Sequence, residues 1–415
     1  MEYIVWRCGL HLIKFGLTCF AVSVTLCAGG SSSQGGEVSS VHRVRLWPFV
    51  VPLCVGLLML AGLAGISRGD ELASGGRFLP RQLLWIGLSV PALLGPLCLH
   101  YRRLRSASYA LYAFTLVLLC VVFFCPPRNG ARGWIPLGVA DFQPSELMKL
   151  ALIVTLARYL MYCRSHRTLW GMLPPFLLTL VPVVLILKEP DLGTAILFFP
   201  VLFAMLFAAG ARWPALLLVG VMGVASLPVV WKCMTVEQRS RVTVLFQQED
   251  GVSNGGDDYQ LHQAKQMLAF GGVWGSDRSG MAVADPSAYH LPASRSDFVF
   301  CLVGERWGLV GCLAVLVIYL LLLGCGLAIA AGTEEPFGRL VATGVTALLG
   351  TQVVVNTGVT VGLMPITGIT LPLMSAGGSS LLTTCFAIGL LINIGLRPDY
   401  ELSGDPFRFT EPAAS

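Results

Sequence analysis

Apolar residues run along this chain in long blocks separated by short polar stretches. About ten blocks approach the roughly 20 residues that cross a bilayer core of about 30 Å. They lie at Trp47–Ile66, Arg81–Leu99, Ala107–Cys125, Ser145–Tyr162, Trp170–Leu187, Leu192–Gly210, Pro214–Trp231, Phe298–Ala331, Leu340–Leu363 and Pro372–Ile394. The eighth block is long enough to tilt, or to begin outside the bilayer. Backbone polar groups in lipid must be satisfied within the segment, so these blocks predict helices. The expected fold is an all-α polytopic membrane protein with about ten transmembrane helices. One large extracytoplasmic loop is expected between helices 7 and 8. No inverted repeat of the kind that marks many transporters is visible.

Composition sharpens this picture. Of 415 residues, 55% are hydrophobic and 12% charged, where a soluble domain carries about 25% charged residues. A soluble protein could hide one or two such apolar helices, not the whole series. The net charge of +5 sits in short loops and forms no basic stripe, which excludes nucleic acid as a partner. The 13 cysteines are scattered without a CxxC pair, so they read as small apolar helix residues.

Loop charges orient the chain. With His42–Arg45 in the cytoplasm, the basic loops His100–Arg105 and Cys163–Arg167 also fall inside, as do Arg212 and Arg339. The positive-inside rule favours this arrangement, with both ends of the core cytoplasmic. Residues 1–45 join an apolar stretch to a Gly/Ser-rich run and read as a leader or flexible extension. Residues 46–398 form the transmembrane domain, and 399–415 a cytoplasmic tail. Residues 232–296 form the large outer loop, a length uncommon unless functional or disordered. Its apolar stretches, Val242–Phe246 and Met267–Val273, predict partial folding against the membrane. The loops Pro126–Pro144, Lys188–Asp191 and Met364–Leu371 fall on the same side. Polar residues therefore converge on one face.

Four motifs on that face can carry chemistry. In Gly130–Lys149, Pro144 can open a helix, with Ser145 and Glu146 in its first turn. Glu146 and Lys149 are three apart and share a helix face, as a structural ion pair or a functional one. Arg132 suits an interfacial anchor or a phosphate contact. In Lys188–Ala195, Asp191 can cap the following helix, or bind a cation or a sugar hydroxyl. In Leu291–Gly308, Asp297 can cap a helix, or act beside Arg295 as a general base at the water–lipid boundary. Glu305, two turns on, is an intramembrane carboxylate and hence a functional candidate, unless Arg306 neutralises it. In Asn356–Leu382, many Gly, Pro, Ser and Thr residues serve close helix packing or a polar cavity.

The strings GARGWIPLG, QPSELMKL, EPDLGTA, YQLHQAKQMLAFGG, LPASRSDFVFCLVGERWG and NTGVTVGLMPITGITLPLMSAGGSS together resemble the SEDS family (shape, elongation, division and sporulation), which includes RodA and FtsW. The match runs from about Gly130 to Ile394, and the hydropathy pattern extends it back to about Trp47. The resemblance implies a ten-helix peptidoglycan glycosyltransferase that polymerises lipid II beside a class B penicillin-binding protein. It also implies membrane lipid and other elongation-complex membrane proteins as partners. The family's essential loop Asp falls on Asp297, its Glu/Lys pair on Glu146 and Lys149, and its Ser-Tyr-Gly-Gly-Ser stretch on Ser375–Ser379. There are departures. Ala376 stands where Tyr is usual, Glu305–Arg306 where an acidic pair is common, and Gly275–His290 lacks a Gly-Lys-Gly character.

The implied reaction joins two lipid-linked disaccharides. Asp297 is the expected base, and a single base with direct displacement inverts the anomeric centre. Arg132 and Lys149, or a divalent cation such as magnesium or manganese, could neutralise the leaving pyrophosphate. Arg132, Glu146, Lys149, Asp191, Arg295, Glu305, Ser375 and Ser379 are the expected substrate-binding residues. The segment QPSELMKLALIVTLARYL and the short tail lean towards the RodA elongation type, with septal FtsW as the alternative. From other classes, a flippase for lipid-linked precursors and a non-catalytic scaffold for the cross-linking enzyme stay open.

Overall fold

A computed structural model describes residues 47–72, 78–99, 101–126, 133–136, 141–162, 169–246, 257–279 and 295–397. The expected leader, the tail, Arg132 and residues 291–294 lie outside the described residues. The helices, in chain order, are α1 (Trp47–Leu72), α2 (Phe78–Cys98), α3 (Tyr101–Val122), α4 (Pro144–Tyr162), α5 (Leu169–Lys188), α6 (Leu192–Ala208) and α7 (Trp213–Cys233). There follow α8 (Val236–Phe246), α9 (Asp257–Gly271), α10 (Ser276–Ser279), α11 (Val299–Gly332), α12 (Pro336–Thr360) and α13 (Gly378–Leu396). The sequence pattern did not predict the small antiparallel hairpin of β1 (Ile135–Pro136) and β2 (Asp141–Phe142) ahead of α4. Apart from that hairpin, the described residues form a multi-pass helical membrane fold.

By length and composition, seven described helices (α1, α2, α3, α5, α11, α12 and α13) can cross a membrane. Helix α6 and much of α7 are shorter apolar helices. Helix α4 carries Glu146, Lys149 and Arg158 and is buried on nearly every side, as expected of a helix at the centre of a bundle. Helices α6, α12 and α3 pack against it. The outward faces of α2, α5 and α7 expose large side chains such as Leu84, Trp170, Leu177, Leu217 and Val221. Those faces suit hydrocarbon, where they cost nothing. Inside the bundle, α1 lies along α11 and α2 along α13.

The large loop is partly folded. Helix α9 packs on α11, and the junction depends on a break in α11. Gly308 has φ 69° and ψ −161°, a conformation open essentially to glycine alone. The break frees two amide groups. Leu309 N–H donates to the Gly272 carbonyl at 2.9 Å, and Val310 N–H to that of Val273 at 3.3 Å. A Cβ on Gly308 would strike the backbone of Val273 and Gly275. The loop is thus bonded into the span it precedes, as buried amides require.

The last block differs from its sequence expectation. Residues 372–377 are not helical, and α13 begins at Gly378. Here the Ser375 hydroxyl accepts from Leu371 N–H at 2.8 Å, holding a turn that competes with helix.

Candidate active site

Pro144 opens α4, and its fixed φ and missing N–H suit a first helical position. Lys149 Nζ lies 2.8 Å from Glu146 Oε1, and the Thr383 hydroxyl of α13 donates to Glu146 Oε2 at 3.2 Å. Both charged residues are buried. Gln352 of α12 and Thr384 line the same small cleft. The preceding Gln143 bridges outward. Its N–H meets the Ser379 hydroxyl at 3.4 Å, and its Nε2 donates to Asp191 Oδ2 at 3.3 Å.

Asp191 is the N-cap of α6, accepting from Thr194 N–H at 2.9 Å. Burial raises its pKa, and Glu146 adds to the rise. The Thr194 bonds and the charge of Lys149 oppose it. Two residues back, Glu189 is 1% exposed. Burial, then the charge of Asp191, pushes its carboxyl up to about 8. Gly193, in the first turn of α6, meets the Thr367 carbonyl so closely that any Cβ would collide with it. Only glycine lets the 364–371 loop sit there.

Asp297 lies between the large loop and α11. It is not the helix cap that the sequence suggests. Phe298 takes that position, without a side-chain cap bond. Asp297 as a residue is partly exposed, but protein surrounds its carboxyl on most sides. Burial chiefly raises the pKa to about 6. Asp191 raises it further, while Ser296 and Arg241 of α8 lower it. Asp191 and Asp297 are thus close enough to feel one another's charge. The Asn356 side chain of α12 donates to the Asp297 carbonyl at 2.8 Å and to the Ile369 carbonyl at 2.7 Å.

The other expected residues have different surroundings. Arg295 turns towards the α1–α2 junction. Its Nε is 2.9 Å from Asp70 Oδ1, its Nη2 donates to the Gly69 carbonyl at 2.8 Å, and its guanidinium lies over the Phe78 ring. Asp70 in turn accepts from Phe78 and Leu79 N–H, at the start of α2. Glu305 is fully buried, and both its oxygens accept from Arg68 of α1, at 3.0 and 3.1 Å. The neighbour that the sequence offered as its neutraliser, Arg306, is instead paired with Asp277 at 2.9 Å. Helix geometry explains this: adjacent residues on a helix point apart. Ser375 holds the turn at Leu371 and Ser379 meets Gln143, both through protein contacts.

The structure therefore gathers Glu146, Lys149, Asp191, Asp297 and Ser379 around the ends of α4, α6, α11 and α13. Sequence reasoning missed Gln143, Glu189, Arg241, Asn356 and Thr383. Glu189 and Asn356 had a signal, being polar residues beside or within apolar helices. Gln143 and Arg241 had none, because their relevance depends on distant partners. Among the described residues no three His, Cys, Asp or Glu side chains converge as a metal cage needs.

Known proteins resemble this chain along most of its length. Residues 44–398 match the family model described as cell cycle protein, FtsW/RodA/SpoVE. A probable peptidoglycan glycosyltransferase FtsW of Geobacter sulfurreducens is 34% identical, over 87% of this chain and 96% of its own. The stage V sporulation protein E of Bacillus subtilis is 31% identical, over 84% and 95%. A solved peptidoglycan synthase complex, described as coordinating polymerization and crosslinking, contains a chain 34% identical with a TM-score of 0.71. The similarity covers 86% of this chain and 98% of that one. The rod shape determining protein RodA of Thermus thermophilus gives 31% identity, a TM-score of 0.62 and coverage of 85% and 97%. With the motifs, the helical architecture and the similarity over residues 44–398 in agreement, this chain belongs to the FtsW/RodA/SpoVE family of cell cycle proteins, the SEDS family.

Proposed function

We propose that this chain is a peptidoglycan glycosyltransferase that polymerises lipid II on the outer face of the bacterial cytoplasmic membrane. The observation that carries the reading is the Asp297 carboxyl, buried beside Asp191 and Arg241 and titrating near 6. A carboxylate with that pKa is ionised at neutral pH, yet basic enough to take a proton.

In the proposed step the acceptor sugar hydroxyl gives its proton to Asp297. Its oxygen then forms a bond to the anomeric carbon of the second lipid-linked disaccharide. The bond from that carbon to the pyrophosphate oxygen breaks, and the polyprenyl pyrophosphate leaves with the electron pair. One base and one displacement invert the anomeric centre. Arg241, on the Asp297 side, and Arg132 are the residues whose charge suits the leaving group. Lys149 is paired with Glu146, which in turn accepts from Thr383, so the pair is better placed to hold α4 against α13. A divalent cation, if used, would take most of its ligands from pyrophosphate and water. Glu189, with a pKa near 8, is a neutral hydrogen-bond donor at pH 7 and suits a sugar or phosphate oxygen.

The orientation read from loop charges puts this cluster outside, where the lipid headgroup is presented. A class B penicillin-binding protein is the proposed partner, by similarity to the synthase complex. Residues 46–398 are the proposed catalytic domain and 232–296 its outer loop. The α4 segment supports an elongation role of the RodA type. The FtsW descriptions of the relatives favour a septal role as the second reading. Depletion separates them: rounded cells indicate elongation, filaments division.

The test is polymerisation by purified protein supplied with lipid II, with and without the penicillin-binding partner. Glycan strands are expected in at least one arm. Their absence from both, with lipid II moved across vesicle membranes instead, would replace this reading with a flippase.

A further inference from the structure

Asn356 is a polar residue on a largely apolar helix, and it is 2% exposed. Its amide group has two hydrogens, and each meets a carbonyl oxygen: that of Asp297 at 2.8 Å and that of Ile369 at 2.7 Å. These carbonyls belong to the two non-helical segments that wall the site. One leads into α11. The other, the 364–371 loop, presses the Thr367 carbonyl against Gly193 in the first turn of α6, the helix Asp191 caps. The Asp297 side chain itself lies beside Gly368 of the same loop. One side chain thus joins the backbone carrying Asp297 to the loop that rests on the helix carrying Asp191.

We infer that Asn356 is a positioning residue for Asp297, fixing its carboxyl at one depth and one spacing from Asp191. The inference rests on the proposed role of Asp297 as base. Neither a carboxylate nor a hydroxyl could replace this amide. A carboxylate would set negative charge against two carbonyl oxygens, and a hydroxyl has a single hydrogen. The loss of Asn356 would let the Asp297 segment move and admit water to a carboxyl whose basicity comes mainly from burial. The groups that face this carboxyl are Ser296 beside it, Asp191 of α6 and Arg241 of α8. Asp191 is in turn faced by Glu189, Glu146 and Lys149.

A matched control exists within the same protein. Asn393 of α13 is equally buried, and its amide also spans two carbonyls, those of Pro96 at 2.6 Å and Leu99 at 2.7 Å. Asn393→Ala therefore removes the same kind of bond pair at the end of α2.

The experiment compares full-length wild type, Asn356→Ala and Asn393→Ala. The first reading is the pH dependence of Asp297 modification by a hydrophobic carbodiimide, followed by peptide mass spectrometry. The second is glycan synthesis from lipid II. For Asn356→Ala the midpoint of modification should fall by about one pH unit, towards an ordinary aspartate, as burial is relieved. Its kcat should fall roughly ten- to hundredfold with KM little changed, as expected when a reacting group loses its alignment. Asn393→Ala should keep the wild-type midpoint. An unchanged midpoint in Asn356→Ala, or an equal shift in both variants, overturns the inference. Should wild type make no glycan while the midpoint shifts in Asn356→Ala alone, the proposed function fails but the positioning geometry stands.

Discussion

Replacing Asp297 by Asn should abolish polymerisation and also stabilise the protein at neutral pH. Asn keeps the shape of the side chain and removes its charge. Burial, with help from Asp191, lifts the Asp297 pKa from 3.8 to about 6. Between those values the folded protein holds a proton that the unfolded chain has released. Stability contributed by this site therefore falls as pH rises through that window. The difference is roughly two units, worth about 3 kcal/mol at about 1.4 kcal/mol per unit. Part of the residue remains open to water, which screens the charge, so a gain of about 1 to 3 kcal/mol is expected for the Asn variant. The gain should be complete above about pH 7, shrink to a few tenths of a kcal/mol by about pH 4, and vanish below about pH 3, where both states of the wild type are protonated. Thermal unfolding of the purified protein, followed by tryptophan fluorescence between pH 4 and 8, measures it. Wild-type polymerisation should lose rate below about pH 6 as the base is protonated. A variant that melts no higher than wild type at pH 7.5, or gains equally at every pH, would refute the claim that burial sets the basicity of this carboxyl.

Two further substitutions test the scaffold. Glu146→Ala leaves Lys149 buried opposite an empty place, which should cost about 3 to 5 kcal/mol. Lys149→Met added to it should recover much of the loss, read as detergent-solubilised yield and melting temperature. Normal abundance of the single variant with lost activity would instead assign the pair to substrate. Gly308→Ala forces a Cβ into the backbone at Val273 and Gly275, in a conformation that costs a non-glycine residue about 1 to 3 kcal/mol. The bonds from Leu309 and Val310 to Gly272 and Val273 should weaken, and limited proteolysis should cut more quickly near residues 272–279. An unchanged cleavage rate would show that this break does not hold the loop.

The sequence by itself determined that the chain is helical and multi-pass, and where most of its apolar helices lie. Those properties follow from local hydrophobicity and helix spacing, which need no knowledge of distant contacts. The same locality explains why the Glu146–Lys149 pair and the Asp191 cap were legible: each joins residues three apart. Tertiary structure decided what each charge is for. Arg68 and Glu305 are separated by 237 positions, and nothing along the chain pairs them. Arg295 looked like a neighbour of the base, yet its guanidinium is drawn to Asp70 and Phe78. Asp297 looked like a cap, yet α11 starts one residue too late for it. Asn356 was visible only as one polar residue in a motif rich in helix breakers. Its meaning came from two carbonyls that meet only when α12 packs beside the entry to α11. Burial and long-range contact set the chemistry of a side chain, and both are properties of the packed bundle rather than of the string.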